Sequence, residues 1–282
     1  MTRASWATPL RTIDDVPRLR RPDGAEIEWW VQGEDGPLVA IALMALHPQP
    51  VCRRLAENLA TDHRVLGYDL RGTGLSSRVG PYDIATDAAD LAAVLEEAGG
   101  DALVVALGDG ARRAVRVAAE RPDLAHTVVV SGEFPLGRIG DPGSQDALAN
   151  SPAVLDALLG LMETDYRTGL RTMMASSGED EWHEQALRER LDAIEAHSPP
   201  EVGVPRMRSW VEDESRAAGQ VIGDRLWYLH YPGNAWFEGS IEIVRRSLPE
   251  AKIEAVPDGV INCPEENASV IRRILATRRA AA

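Results

Sequence analysis

The segment that most constrains this chain is a strand-length apolar run that leads into two glycines and then into a helical pattern. Residues 102–107 are all apolar, Gly108 and Gly110 follow, and small apolar residues recur at helical spacing up to residue 119. An apolar run of this length before a helix predicts a buried strand that turns sharply into the helix. Small residues at Ala106, Gly108 and Gly110 permit a strained turn that a larger side chain would block.

Two segments of the chain resemble the α/β-hydrolase family. The turn at Gly108 is similar to the G-x-S-x-G nucleophile elbow of that family. The run Asp69-Leu-Arg-Gly-Thr-Gly-Leu-Ser-Ser77 is similar to the D-x-R-G-x-G-x-S loop of many members, where its role is structural. The resemblance implies an α/β-hydrolase fold: a mostly parallel eight-stranded sheet flanked by helices, with an inserted helical lid.

The remaining segments indicate where the lid begins and ends. An Asp23-Gly24 turn predicts an antiparallel hairpin at the start of the chain. Strand-like runs are missing between residues 134 and 219, where helical patterns at 147–162, 166–174, 181–196 and 205–217 alternate with Gly, Pro and Ser. We therefore predict a core of residues 1–133 and 220–282 and a lid of residues 134–219.

The resemblance also locates the three catalytic positions of the family, and this chain departs from the pattern at each. Gly108 stands where the nucleophile is expected. In His230-Tyr-Pro-Gly-Asn234, which matches H-G-x-x-D, Asn234 stands at the position of the acid, and Val260 stands at that of the histidine. A shift of one residue would make Asp109 the nucleophile, but it would place Leu107 where a small residue is needed.

Backbone donors and a covered pocket remain predictable from the same alignment. The residue after the elbow, Asp109, and Met44, which follows the Ala42-Leu43 pair at the family's His-Gly position, are the expected donors of an oxyanion-type site. We predict a substrate pocket lined by Leu43, Met44, His47, Gly108, Asp109, Glu133, Trp182, Trp210, Asn234 and Val260.

Composition excludes several partners. The net charge of -14 and the pI of about 4.9 argue against nucleic acid and anionic membrane surfaces, which need a positive face. Cys52 and Cys263 have no metal-ligand spacing, so neither a metal nor a disulfide framework is expected. No cofactor is predicted. The start of the chain has no apolar signal core, and the longest apolar run, 38–46, is far shorter than a membrane span, so we expect a cytoplasmic protein. Nothing in the sequence indicates an oligomeric state.

Acyl transfer needs a nucleophile, a histidine and an acid, and glycine, valine and asparagine supply none of them. Backbone donors also stabilise an enolate. The sequence therefore predicts an isomerase that removes and returns a proton beside a carbonyl. The base is either the substrate itself or one of the following residues: His47, His183, His197, Asp109 or Glu133.

In overall plan the chain is similar to the triad-less aspartyl epimerases of bottromycin-type peptide biosynthesis. The similarity rests on the missing triad, the helical lid and an Ala/Arg-rich composition. It implies inversion of a peptide aspartate with help from the substrate's own carboxylate. Two alternatives remain open: a module that binds a peptide or small molecule without converting it, and a hydrolase with a relocated nucleophile such as Asp109 or Ser131.

Overall fold

One mixed sheet forms the centre of the protein, for which a computed structural model describes residues 17–132, 136–137, 151–176, 184–232 and 239–281. Its strands are β1 (Arg18–Arg20), β2 (Glu26–Gln32), β3 (Leu38–Ala42), β4 (Arg64–Tyr68), β5 (Ala102–Leu107), β6 (Ala125–Ser131), β7 (Leu226–His230) and β8 (Lys252–Ala255). They lie in the order β1-β2-β4-β3-β5-β6-β7-β8.

The direction of the strands brings the predicted turn to a common edge of the sheet. β2 pairs antiparallel with β1 and β4, which confirms the hairpin, and every other neighbouring pair is parallel. In this register Ala106 lies beside Ala42, and Leu107 lies beside Ser131. The carboxyl ends of β3, β5, β6 and β7 therefore meet, which is where open α/β sheets bind ligands. The predicted fold class is confirmed.

Helices cover both faces of this sheet. They are α1 (Arg53–Leu59), α2 (Ile84–Glu97), α3 (Gly110–Glu120), α4 (Pro152–Thr164), α5 (Tyr166–Ser176), α6 (Glu184–His197), α7 (Pro200–Glu212), α8 (Arg216–Ile222), α9 (Ser240–Ser247) and α10 (Pro264–Ala281). Residues of α2, α3, α8 and α9 pack on one face, where Val104 points, and those of α1 and α10 pack on the other, where Val105 points. Because β5 is buried on both sides, it reads as an unbroken apolar run.

Helices α4–α7, here called the inserted helices, lie between β6 and β7 in the chain and have an apolar cluster of their own. Leu46, in the loop after β3, also belongs to this cluster. Among the described residues it is the buried member that comes from outside the inserted helices. In the described part of the chain, no helix has the length and apolarity needed to cross a membrane.

The end of the inserted segment differs from the prediction. The expected helix over 205–217 is two helices, because α7 begins at Pro200 and tolerates Pro205 in its interior, and the backbone at Asp213 is extended. Ile222 of α8 packs with the core, so the predicted boundary at residue 219 falls inside a core helix. The division into a core and a lid otherwise stays a prediction.

Candidate functional site

The turn after β5 has the backbone geometry of an elbow, and Gly108 is at its tip. Gly108 has a φ of +49°, in the left-handed region that side chains rarely adopt. A Cβ on Gly110 would lie 2.2 Å from the carbonyl oxygen of Ala42, so α3 begins in close contact with the end of β3. The Gly108 N–H donates to the Ser131 carbonyl at 3.0 Å. These constraints place Gly108, and not Asp109, at the tight point of the turn.

The space above the elbow is filled by Met44. A Cβ added to Gly108 would lie 2.6 Å from Met44 Cγ and 3.2 Å from its sulfur. Contacts under about 3 Å between carbon atoms are far inside the optimal separation. The thioether side chain therefore occupies the volume into which a nucleophilic side chain at position 108 would extend.

Asp109 is an anchor for the loop after β3. Its Oδ1 accepts a hydrogen bond from the Ala45 N–H at 2.9 Å, and its Oδ2 accepts one from Nη1 of Arg113 at 2.6 Å. Arg113 is fully buried. Its other terminal nitrogen, Nη2, donates a hydrogen bond to the Leu43 carbonyl oxygen. Burial lowers the pKa of Arg113, but the Asp109 carboxylate, together with Tyr68 and Asp87, outweighs burial and raises that pKa above the usual value. Both carboxylate oxygens of Asp109 are thus engaged, which argues against a nucleophile or base there.

The two expected donors lie beside this anchor. Within the described residues, neither the Met44 N–H nor the Asp109 N–H donates to another protein group. Both residues are partly exposed, as is Gly108.

The surroundings of Val260 are apolar. Val260 is buried and belongs to the same apolar cluster as Leu43, Leu107 and Tyr231, and Met44 packs against that cluster. A hydrocarbon side chain therefore lies buried at the position where the sequence comparison expected histidine. It can neither accept nor return a proton.

Two buried hydroxyl groups meet below the elbow. Ser131, at the end of β6, is hydrogen-bonded to the hydroxyl of Tyr231, which follows β7. Burial raises the pKa of Tyr231 above its usual value. The phenol therefore stays protonated at neutral pH and does not serve as a base for Ser131, which argues against Ser131 as a relocated nucleophile.

The family assignment follows from sequence as well as from this geometry. Residues 45–266 match the model described as "Alpha/beta hydrolase family". The chain belongs to the α/β-hydrolase family. A search of curated proteins found no match.

Solved structures of other family members have the same fold. A bromoperoxidase from Bacillus anthracis superposes with a TM-score of 0.74 at 18% identity, over 93% of this chain and 100% of that one. An enol-lactonase from Burkholderia xenovorans gives 0.72 at 18% identity, over 92% and 100% of the two chains. An esterase from Exiguobacterium antarcticum gives 0.72 at 16%, over 91% and 98%. At these identities the likeness establishes the fold alone.

His47 is buried at the boundary between this α/β-hydrolase core and the inserted helices. Its Nε2 lies 3.0 Å from Nη2 of Arg190, and its Nδ1 is buried without a hydrogen-bond partner among the described residues. Burial, followed by the charges of Arg190 and His197, lowers the pKa of His47 well below 6.5. The imidazole is neutral and accepts from Arg190, so it is a weak base.

His197 lies against the 69–77 loop. Its carbonyl accepts the Gly74 N–H at 3.1 Å. Burial lowers the pKa of its imidazole, Asp69 opposes that shift and Arg206 adds to it. Among the described residues, His197 has no hydrogen bond with Gly108 or Met44, so it is not part of the elbow.

Four predicted residues fall outside the described part of the chain: Glu133, Trp182, His183 and Asn234. Trp210 is described, and it packs against the apolar cluster of the inserted helices. The structure therefore brings Leu43, Met44, Gly108, Asp109 and Val260 to one edge of the sheet.

Two clefts of the described residues lie away from that edge. One of 620 Å³ separates the start of α2 from α4 and α7, with Ile84, Glu163 and Arg208 in its walls. One of 400 Å³ lies at the amino ends of the parallel strands, beside Arg64 and His126. Neither cleft is lined by a residue of the elbow, so the candidate site is defined by the hydrogen bonds around Asp109 and not by a cleft.

Sequence reasoning missed three side chains of the site. Arg113 follows Asp109 at the i,i+4 spacing that favours ion pairs on a helix, so a signal for it existed. Arg190 and Tyr231 lie 143 and 100 residues from their partners, and no local pattern relates residues so far apart.

Proposed function

We propose that this chain is a non-hydrolytic member of its family that catalyses isomerisation at a carbon next to a carbonyl. The observation that carries the proposal is the elbow itself: its backbone is in the strained conformation, but it holds glycine, and Met44 fills the space of the missing side chain. A covalent acyl intermediate at this position has no group to form it.

The remaining machinery suits an enolate. When a proton leaves the α-carbon, negative charge develops on the carbonyl oxygen, and fixed N–H donors stabilise it. The amides of Met44 and Asp109 are the candidates. Removing one donor of this kind typically costs about 10²- to 10³-fold in rate. No acyl-enzyme is needed.

The proton carrier is best supplied by the substrate. The carboxylate of Asp109 is engaged by Ala45 and Arg113, and the pKa of His47 is lowered well below 6.5. A substrate that brings its own carboxylate, such as an aspartyl residue of a peptide, avoids both limits. The resemblance to bottromycin-type aspartyl epimerases that was inferred from the sequence implies the same choice.

The test is deuterium incorporation in heavy water. Short peptides with an L-aspartyl residue are compared with the same peptides carrying asparagine. We expect deuterium at the aspartyl α-carbon together with the D-residue, no cleavage, and no exchange in the asparagine peptides. Exchange that is equal in both peptides would show that the substrate carboxylate is not the base.

A pair of variants isolates the backbone donor. Asp109 has a φ of -58°, which proline adopts, so Asp109→Pro removes the N–H while preserving this angle. Asp109→Ala removes the same carboxylate and keeps the N–H. We expect exchange in the proline variant to be about 10²-fold slower than in the alanine variant. Equal rates would contradict the assignment of this donor.

Ester hydrolysis is the second candidate, because the family and the similar enol-lactonase and esterase favour it. Mass spectrometry after mixing with p-nitrophenyl acetate distinguishes the two. An acyl-enzyme that forms on Ser131 would establish hydrolysis. Tight binding of a peptide with neither exchange nor cleavage would instead establish a binding module.

A further inference from the structure

The peptide between Leu43 and Met44 connects a buried cation to the predicted donor. This peptide bond is trans, since the cis bond in the described chain is Gly80-Pro81. In a planar trans peptide the carbonyl and the following N–H point in opposite directions. The direction of the Leu43 carbonyl therefore fixes the direction of the Met44 N–H.

Arg113 holds that carbonyl. Its Nη2 donates to the Leu43 oxygen while Nη1 donates to Asp109, whose other oxygen accepts the Ala45 N–H. The loop is thus fixed on both sides of Met44, at residue 43 and at residue 45. Asp109 is the N-cap residue of α3 and Arg113 lies in its first turn, and this helix is in contact with the end of β3 through Gly110.

We infer that Arg113 is a positioning residue, which orients and polarises the Met44 N–H through the Leu43 carbonyl. This inference rests on the proposed function for its catalytic consequence, but the orientation itself does not. A charged donor on a carbonyl draws electron density through the amide and strengthens the N–H at its far end. Without the guanidinium, the peptide is free to turn its carbonyl toward the developing negative charge.

The two contacts require the fork of an arginine. Nη1 and Nη2 reach different acceptors in a fixed plane, and a lysine ammonium is a compact point charge that does not reproduce this geometry. Arg113→Lys therefore keeps the charge near Asp109 and loses the hold on Leu43. Arg112→Lys is the matched control, because Arg112 is also fully buried on α3 but donates to the carbonyls of Asp213 and Gly137.

The first measurement needs no substrate. The chain has six methionines, so ¹⁵N-methionine labelling gives few amide signals, and Met44→Leu identifies the one of interest. We expect Arg113→Lys to move the Met44 amide signal and Arg112→Lys to leave it in place. Arg113→Met serves as a second variant if the lysine variant does not fold. A Met44 signal at the wild-type position in a folded Arg113 variant would overturn the inference.

The second measurement separates this inference from the proposed function. On any aspartyl peptide that the wild type exchanges, Arg113→Lys should lower kcat about 10²-fold and leave KM unchanged, since the donor acts on the transition state. Full kcat with a moved Met44 signal would overturn the positioning role and leave the isomerase standing. A wild type without exchange would refute the proposed function, and the amide signal would still decide the orientation by Arg113.

Discussion

The elbow and the 69–77 loop both match patterns of the α/β-hydrolase family, but they keep different parts of them. In the loop the side chains are present: Arg71 donates to both oxygens of the fully buried Asp90, at 2.6 and 2.9 Å. At the elbow the backbone is present, and the reactive side chain is absent. The loop's side chains support the fold, whereas the missing side chain at position 108 would have served chemistry alone. Under the proposed function, the chain keeps the fold of its family while the chemistry at the elbow differs.

The first prediction tests whether the side chains around the 69–77 loop stabilise the fold. It concerns a buried ion pair beside that loop. Arg206 donates to both oxygens of Asp87 at 2.8 and 2.9 Å, and a third bond joins it to the Arg71 carbonyl. Both side chains are buried. Asp87→Ala leaves the cation unpaired, and we expect a loss of about 3–5 kcal/mol in the free energy of unfolding.

Urea unfolding measures this loss. The control is Glu242→Gln, which removes one partner of the exposed Arg245–Glu242 pair and should leave stability unchanged within error. A similar loss of stability in both variants would show that the ion pair beside the loop stabilises the fold no more than an exposed pair does.

The elbow should respond to a side chain of any kind. Gly108→Ala places a Cβ at positive φ, which costs about 1–2 kcal/mol, and overpacks Met44, which adds about 1 kcal/mol or more. Met44→Ala in the same chain should recover the second contribution alone. A double-mutant cycle of unfolding free energies checks this, and strictly additive effects would mean that Met44 does not occupy the space.

The contact between core and inserted helices should be sensitive to pH. An unfolded histidine takes up a proton near pH 6.5, whereas the folded pKa of His47 is well below that value. The stability it provides is complete above about pH 6.5 and is lost as the pH falls, by about 1.4 kcal/mol per pH unit.

Because His197 shifts in the same direction, the measurement compares the wild type with His47→Gln. Glutamine accepts from Arg190 but does not titrate. Between about pH 7.5 and 5.5 the variant should lose about 1.4 kcal/mol less than the wild type. If the unfolding free energies of the two proteins change with pH in the same way, the lowered pKa of His47 is contradicted.

The smallest expected effect concerns the hydroxyl pair below the elbow. Tyr231→Phe leaves the Ser131 hydroxyl without this partner and should cost about 1 kcal/mol of stability. Ser131→Ala should leave isomerase exchange intact. If exchange or hydrolysis disappears in Ser131→Ala while the protein stays folded, chemistry has moved to the end of β6 and the contrast with the loop is weaker.

Local patterns predicted the parts of the fold that local forces determine. α2 spans Ile84–Glu97, and the side chain of Asp83, a residue type that often precedes helices, caps its start by accepting the Thr86 N–H. The position of Gly108 at the elbow also followed from residue size. Pro205 misled the prediction of α7, since proline usually ends or begins a helix and here lies within one.

The site itself was less accessible from sequence. Asp109 was expected as a donor or a base, and its side chain proved to be an anchor. The placement of Met44 over Gly108 depends on β3 lying beside β5, which joins residues more than sixty positions apart. Periodicity describes one element at a time and does not report which side chain fills a gap between two elements.

Under the proposed function, the Met44 side chain over Gly108 also restricts the mutational routes from this chain to a hydrolase. Gly108→Ser as a first step meets Met44 Cγ at 2.6 Å and gains no activity, because Val260 supplies no proton acceptor. Met44 must first become smaller, and position 260 must become histidine, before serine at the elbow is of use. Three substitutions that are each neutral or harmful alone form an epistatic barrier, and laboratory selection for esterase activity by single steps should fail to cross it.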